Sequence, residues 1–355
     1  MKKALISLLF YSFATSAQDS TKTPKISWNV YLDAYYAYDF ANPASHDRPS
    51  FLYNHNRHNE VNLNLGFVKA AYTSEKVRAS LALMAGTYAQ YNLAQEQGLL
   101  KNVFEAVAGI KLLDKHNLWL DAGIFTSHIG FESAVSKDCW TLTRSLVAEN
   151  SPYYLSGAKL TYTTRNEKWL FLLSYVNGWQ RIQRVPGQNN PNLSTQIQFR
   201  PSNKLTLNYS TFLGSDKPDS SMQKRYYNNL YAIWQPNSKW GIIFGFDYGL
   251  EQKTKGSSNY NQWYVPTAIV RYLISEKWAT AVRAEYYEDV SGVIIPTGTP
   301  NGFKTMGYSL NLDYQPLKNV LLRLEGRLLN SKDEIFLGSN PHQNFAITTS
   351  IAVSI

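Results

Sequence analysis

Histidine is the residue type in this sequence with the most direct chemistry, because imidazole can bind a metal ion or act as a general base. His55 and His58 have a spacing that could place both rings on one metal at a helical turn, but no third ligand is evident. His128 lies near the acidic Glu132, as a hydrolase would require. We predict a solvated loop position for His128, and neither a catalytic residue nor a metal or cofactor. The sequence lacks a Walker loop, a dinucleotide fingerprint and a serine elbow.

Charged side chains form a second set, because they recur at alternate positions within strand-like runs. A charge at the bilayer midplane costs roughly 2–4 kcal/mol in a β-barrel, so in membrane-spanning strands these residues would face the lumen. There they could pair with one another, filter solutes by charge, or do both. The candidates for the lumen wall are Arg78, Lys111, Lys159, Arg200, Arg271, Arg283, Arg323, Arg327, Asp33, Asp121 and Glu325. We expect the arginines from 271 onward to form a basic wall.

The elements that must position these residues are alternating β-strands. Between Trp28 and Tyr38 the even-numbered residues are apolar or aromatic, and most odd-numbered ones are polar. The last strand, which ends the chain at Ile355, has the same pattern from Phe345 onward. Since side chains alternate across a strand, the pattern predicts one lipid-facing side and one aqueous side.

Short polar turns that contain lysine punctuate the strands, and longer loops alternate with them. Successive turns are separated by 41, 51, 36, 35, 38 and 42 residues, which is one hairpin per step. The pattern predicts an all-β fold, a transmembrane antiparallel up-and-down β-barrel of about 16 strands, with short periplasmic turns and long extracellular loops. Predicted strands include Val77 to Tyr88, Tyr154 to Thr163 and Trp278 to Asp289. A soluble β-propeller also repeats at about 40 residues, but with four strands per repeat rather than two.

Composition agrees with export to a membrane. Lys2 and Lys3 precede an apolar stretch and small residues, so residues 1–17 are predicted to be a cleaved signal peptide and residues 18–355 a single barrel domain. The lone Cys139 excludes an internal disulfide. The net charge of +9 is scattered along an exported chain, which argues against nucleic-acid binding. The 25 Tyr and 9 Trp suit membrane interfaces.

Several segments carry a resemblance to a known family. They are the stretch from Gly123 to Glu132, the stretch from Asn150 to Gly157, and the Tyr-rich run from Tyr31 to Tyr36 that is followed by Asn62 and Leu63. Together they resemble the OmpL-like β-barrel porin family of Gram-negative bacteria, over the whole mature chain. The resemblance implies an outer-membrane channel of unspecified substrate and supplies no catalytic residues.

The long segment from Ser127 to Ser151 follows the fifth predicted strand. In general porins the loop at this place folds inward and narrows the pore, so we predict a constriction loop here. Its charged residues are Glu132, Lys137, Asp138, Arg144 and Glu149. Acidic residues of the loop would then face basic residues of the wall and create a transverse field.

We therefore predict an outer-membrane porin for passive diffusion of small hydrophilic solutes or ions, selected by size and charge, with a weak preference for anions. The expected partners are outer-membrane lipid and the barrel assembly machinery, and analogy with general porins suggests a homotrimer. One alternative is a narrow or closed barrel whose long loops bind a ligand or partner, as an adhesin or receptor does. Another is a hydrolase embedded in a barrel.

Overall fold

A computed structural model describes residues 24–355, which form a closed barrel of sixteen antiparallel strands. The strands are β1 (Lys25–Asp39), β2 (Val61–Thr73), β3 (Val77–Ala85), β4 (Val103–Lys111), β5 (Asn117–Thr126), β6 (Tyr154–Thr163), β7 (Trp169–Val176), β8 (Asn192–Ser202), β9 (Leu205–Gly214), β10 (Arg225–Trp234), β11 (Trp240–Gln252), β12 (Tyr260–Leu273), β13 (Trp278–Asp289), β14 (Phe303–Leu317), β15 (Val320–Ser331) and β16 (Gln343–Ser354). Two short helices are α1 (Thr87–Asn92) and α2 (Leu146–Glu149). Single 3₁₀ turns cover Gly98–Asn102, Ser136–Asp138 and Asp219–Ser221.

Each strand pairs with its neighbours in the chain, and β1 pairs with β16 to close the cylinder. At the closure Leu32 lies opposite Val353 and Tyr38 opposite Ile347. Closure gives the backbone N–H and C=O groups of every strand a partner, which hydrocarbon could not supply at an open edge. The strand number and the up-and-down order predicted from the sequence are confirmed.

The connections differ in length on the two sides of the barrel. Seven turns of two to five residues lie at one end, which we call the short-turn end, and eight loops of seven to 27 residues lie at the long-loop end. Trp169, Trp240 and Trp278 begin strands at the short-turn end and face outward, and Trp169 stacks on Phe199 with ring centroids 4.1 Å apart. Such a girdle suits a membrane interface, where an indole can meet both lipid and water.

The alternation of burial along the strands separates the two faces as predicted. In β16 every second residue from Asn344 to Ala352 is buried, while Phe345, Ile347 and Ile351 are exposed. Exposed apolar residues on the outer face form the surface for lipid, and the buried inner face is largely polar. Among residues 24–355, no helix is long and apolar enough to cross a membrane.

Most strand boundaries lie within two residues of the predicted ones, but Tyr88 was assigned wrongly. β3 ends at Ala85, and Tyr88 lies in α1 inside the long-loop end. Gly86 has φ of 122°, and a Cβ there would come within 2.5 Å of the Asn64 carbonyl oxygen, so the chain leaves the sheet at a position that requires glycine. The predicted signal peptide, residues 1–17, lies outside the described residues.

Candidate functional site

The loop between β5 and β6, residues 127–153, lies inside the barrel, and we call it the inner loop. The Gly130 N–H donates to the side chain of Asn229 on β10 at 3.0 Å. Further along the loop, the Leu142 N–H donates to the side chain of Asn311 on β14, also at 3.0 Å. Leu142 and Arg144 are fully buried. The inner loop therefore packs against the lumen face of the later strands.

Two wall arginines hold the inner loop through its backbone. Arg283 donates to the Thr143 carbonyl at 2.7 Å, and Arg323 donates to the Cys139 carbonyl at 3.0 Å. Glu325, on the same wall, accepts a hydrogen bond from the Thr143 hydroxyl at 2.9 Å. Arg327 instead pairs with a carboxylate on β13. The wall thus combines donors and acceptors that match an extended loop backbone.

Three of the four arginines predicted to form a basic wall face the lumen but are buried and paired there. Arg283, Arg323 and Arg327 are at most 3% exposed. Carboxylates on the same wall neutralise them: Glu325 lies 2.9 Å from Arg283 and Asp313 lies 2.8 Å from Arg323. Such buried charges require partners, because an unpaired one would lose its hydration without compensation. All three face the lumen; Arg283 and Arg323 anchor the inner loop, and Arg327 pairs with Glu285.

Glu132 and Glu149 of the inner loop lie near Arg283 but form their hydrogen bonds with other loop groups, so the expected transverse field stays a prediction. Glu132 accepts hydrogen bonds from the backbone and hydroxyl of Ser145 within the same loop. Glu149 accepts from the backbone N–H of Tyr53 at 2.9 Å and from Asn54, both in the loop that follows β1. Burial raises the pKa of Glu149 to about 7. Both carboxylates therefore fix loop structure.

Two basic residues of the inner loop also donate to carbonyl and hydroxyl oxygens rather than to carboxylates. Arg144 donates to the carbonyls of Ser133 and Leu142 at 2.6 Å each, and to that of Ala134 at 3.1 Å. Lys137 reaches the short-turn end, where it donates to the Ser354 hydroxyl at 3.0 Å. The inner loop therefore extends through much of the barrel's depth.

Burial raises the pKa of Asp138, which lies beside Lys137 and lines a cavity of about 170 Å³ at the short-turn end. Burial likewise raises the pKa of the neighbouring Cys139 thiol.

Glycines on β11 receive aromatic rings of the inner loop, a feature that the sequence reading missed. A Cβ at Gly241 would meet the ring of Trp140 at 2.5 Å, and one at Gly245 would collide with the ring of Phe131. Both glycines lie on the inner face and are four residues apart, as positions on one face of a strand must be even-numbered steps apart. A Gly-x-x-x-Gly spacing inside a strand was the available signal for close approach of another segment.

The opposite part of the wall carries charged side chains that remain partly accessible. Arg78 on β3 forms an ion pair with Asp121 on β5 and keeps 39% of its side chain exposed. Lys69 on β2 pairs with Glu105 on β4 at 2.8 Å and is 30% exposed. The inner loop also packs against these early strands, where Ala134 and Ala148 share an apolar cluster with Phe67 and Phe104, so the accessible ionic side chains lie toward the short-turn end.

The remaining predicted wall residues also lie on the inner face. Lys159 lies over the ring of Phe125 at 4.3 Å, and Lys111 donates to the Asp114 carbonyl in the neighbouring turn at 3.3 Å. Asp33 is buried beneath the loop that follows β1, where His55 lies 3.0 Å from it. Asp33 therefore supports that loop instead of lining open water.

Comparison with known proteins was made against families, curated proteins and solved structures. The family described as "Putative beta-barrel porin-2, OmpL-like" matches residues 25–355. The chain belongs to this family. It is an outer-membrane porin, as the sequence predicted. No curated protein matches it.

Solved outer-membrane proteins share the fold of this porin at low sequence identity. The anion-selective porin from Comamonas acidovorans superposes with a TM-score of 0.61 at 8% identity, covering 94% of this chain and 100% of that one. The outer-membrane channel DcaP of Acinetobacter baumannii superposes with a TM-score of 0.59 at 10% identity, and the match covers 94% of this chain and 97% of that one. The trimer form of OmpT from Vibrio cholerae superposes with a TM-score of 0.58 at 9% identity, and the match covers 94% of this chain and 99% of that one.

Two wall arginines of the porin differ from the anchoring ones. Arg200 on β8 is exposed and Arg271 on β12 is half-buried, and neither guanidinium makes a hydrogen bond or ion pair with another described residue. Arg271 lines the cavity at the short-turn end that also includes Trp140. Both positions face the lumen, where Arg200 has no carboxylate partner among the described residues and Arg271 shares the field of the Asp313 carboxylate with Arg323.

The histidines of the porin have structural partners. His55 is fully buried against Asp33, and His58 accepts from the backbone N–H of Asp39 at 2.9 Å. Our expectation that His128 is solvated is wrong: its Nε2 lies 2.7 Å from the Ser194 hydroxyl, and burial lowers its pKa to about 3. Residues 24–355 contain no group of three or more side chains that could hold a metal ion.

Proposed function

We propose that this porin lets small hydrophilic solutes diffuse passively along the side of the lumen that the inner loop leaves accessible. The observation that carries the proposal is the asymmetry of the lumen. Bonds such as that from Arg283 to the Thr143 carbonyl hold the inner loop against the later strands, while Lys69 and Arg78 on the early strands remain accessible to water. A polar passage lined by ions selects solutes by size and charge.

A preference for anions is supported by the distribution of unpaired charge. Arg283, Arg323 and Arg327 contribute little net field, because carboxylates lie against each. Arg200 has no such partner among the described residues, and Arg271 shares the field of the Asp313 carboxylate with Arg323. A positive charge without a counterion attracts mobile anions and repels cations, so these two residues bias conduction toward anions.

Single-channel recording in a planar bilayer under a salt gradient tests both parts of the proposal. Stable conductance steps are expected, with a reversal potential of the sign that anion preference requires. Changing both Arg200 and Arg271 to Gln should move the reversal potential toward zero. Arg165→Gln removes the same charge in an exposed turn outside the lumen and should leave it unchanged. An absence of steps from folded protein would instead favour the closed barrel whose loops bind a partner.

We further propose the processing and setting that the sequence predicted. Residues 1–17 would be cleaved during export, and residues 18–355 would form one barrel domain with the short-turn end in the periplasm. Passive diffusion uses no catalytic residue, so none is assigned in this proposal. Assembly by the barrel machinery and trimer formation belong to the same proposal, and the trimer is testable by native gel migration.

A further inference from the structure

A cavity of about 290 Å³ opens at the long-loop end, and we call it the outer cavity. Six loops and the first residue of β10 line it, with Glu149 and its neighbours from the inner loop at one side. Tyr53, Trp179, Val293 and Ile294 give it apolar surfaces. Its size is close to the lower limit of about 300 Å³ for small-molecule pockets.

Unsatisfied polar groups surround the outer cavity. Asn92 is 5% exposed, yet neither its amide nitrogen nor its amide oxygen has a hydrogen-bond partner. Oε1 of Glu149 is also buried without a partner. A buried polar group that lacks a hydrogen bond has lost its hydration without a compensating interaction. Such groups beside a cavity therefore indicate that a polar ligand binds there.

A positive charge that forms no ion pair with another described residue lies at the same cavity, near the carboxylate of Asp216. Arg181 lines it half-buried, and its guanidinium makes no hydrogen bond or ion pair with another described residue. The second arginine of the cavity, Arg225, is already paired with Asp216 at 3.3 Å and Glu251 at 2.6 Å. Arg181 is therefore the group that is available for a carboxylate of a ligand.

The polar groups also indicate the rest of the ligand. An amide such as that of Asn92 both donates and accepts, which matches a hydroxyl group. An ammonium group would need a charged, free carboxylate. Asp216 already accepts from the Trp179 N–H at 2.8 Å and pairs with Arg225, and burial raises the pKa of Glu149 to about 7, which favours its neutral form. We propose that the outer cavity binds a small carboxylated sugar, with the carboxylate on Arg181, the hydroxyls on Asn92 and its neighbours, and the ring carbons against Trp179.

A larger cavity of about 480 Å³ between the loops after β1, β13 and β15 lacks these features. Its charged lining residues Asp39 and Arg48 bond one another at 3.5 Å, and Asn344 donates to Asp39 at 2.8 Å. The outer cavity is therefore the place where a solute would gain bonds that the protein does not already make. Binding of such a solute to the outer cavity does not require conduction. Its role as a solute that the channel transports rests on the proposed function.

Isothermal titration calorimetry of the folded, full-length protein in detergent tests the proposal without depending on conduction. Glucuronate should bind at least roughly tenfold more tightly than glucose or acetate, because a charged hydrogen bond and the hydroxyl contacts act together. Arg181→Gln should reduce glucuronate affinity to that of glucose. Arg184→Gln is the matched control, since its guanidinium bonds the Asn190 carbonyl and the Tyr175 hydroxyl instead, and it should bind glucuronate normally.

A second variant separates recognition of the hydroxyls from that of the charge. Asn92→Leu should weaken the binding of glucuronate and leave the affinity for acetate unchanged. Heat-modifiable gel migration of the variant should show a folded barrel. No glucuronate binding, equal binding of glucose, or equal losses in the Arg181 and Arg184 variants would overturn the proposal. Conductance in plain salt reports separately on the channel function, so failure of one proposal is distinguishable from failure of the other.

Discussion

Arg144 should determine whether the inner loop keeps its place in the lumen. Its guanidinium bonds the carbonyls of Ser133, Ala134 and Leu142, and so joins the two arms of the loop. Each hydrogen bond to a charged group contributes about 1.5–3 kcal/mol. Loss of even one such contribution would raise the population of loops detached from the wall by roughly 10- to 150-fold. Arg144→Met removes all three bonds and leaves their carbonyls buried without partners.

The strands should survive this substitution, since their ladder does not include Arg144. We expect folded barrels by heat-modifiable gel migration, with larger and noisier single-channel conductance. Arg144→Lys should behave similarly, because an ammonium group lacks the planar fork that reaches both arms. Lys137→Met removes one positive charge from the loop without touching these three carbonyls and should conduct more nearly as the native protein does. Native conductance in both Arg144 variants would refute the reasoning, and so would rescue by lysine, which would indicate a purely electrostatic role.

Two further predictions concern the seating of the inner loop. Gly245→Val should displace the ring of Phe131 and raise the conductance. Gly326→Val is the control, because a Cβ there would lie no closer than 3.8 Å to Phe345, and it should leave the conductance unchanged. Equal conductance of the two variants would show that the contact of Phe131 with Gly245 does not hold the inner loop in place. Burial raises the pKa of Glu149 from 4.5 to about 7, so its ionisation opposes the folded loop arrangement fully above about pH 7 and not at all below about pH 4.5. Recordings at pH 5 should therefore show fewer loop openings than at pH 8, and Glu149→Gln should remove that difference; a variant that retains it would show that another group titrates.

The barrel could be predicted because its determinants are repeated and local. The alternation of apolar and polar residues from Trp28 to Tyr38 has a period of two and can be read directly from the sequence. Each lysine-containing turn marks the end of a strand. An error of one residue in register would turn an entire apolar face into the lumen, so the pattern is strongly constrained. Tyr88 escaped this reasoning because an aromatic residue suits a strand face as well as a buried loop helix. Only the conformation of Gly86 ends β3 before it.

The arrangement within the lumen could not be predicted in the same way, because it depends on which charges meet. The sequence showed that Arg283 and Arg323 face inward, but strand parity cannot say whether a carboxylate lies beside them. Glu325 is 42 residues from Arg283 and meets it only because β15 lies two strands from β13 in the closed barrel. Once such pairs form, the remaining guanidinium N–H groups must find other acceptors, and the carbonyls of the inner loop supply them. Charge on the inner face therefore serves first to position the loop, and the arginines left unpaired, such as Arg200, are the ones available to act on a solute.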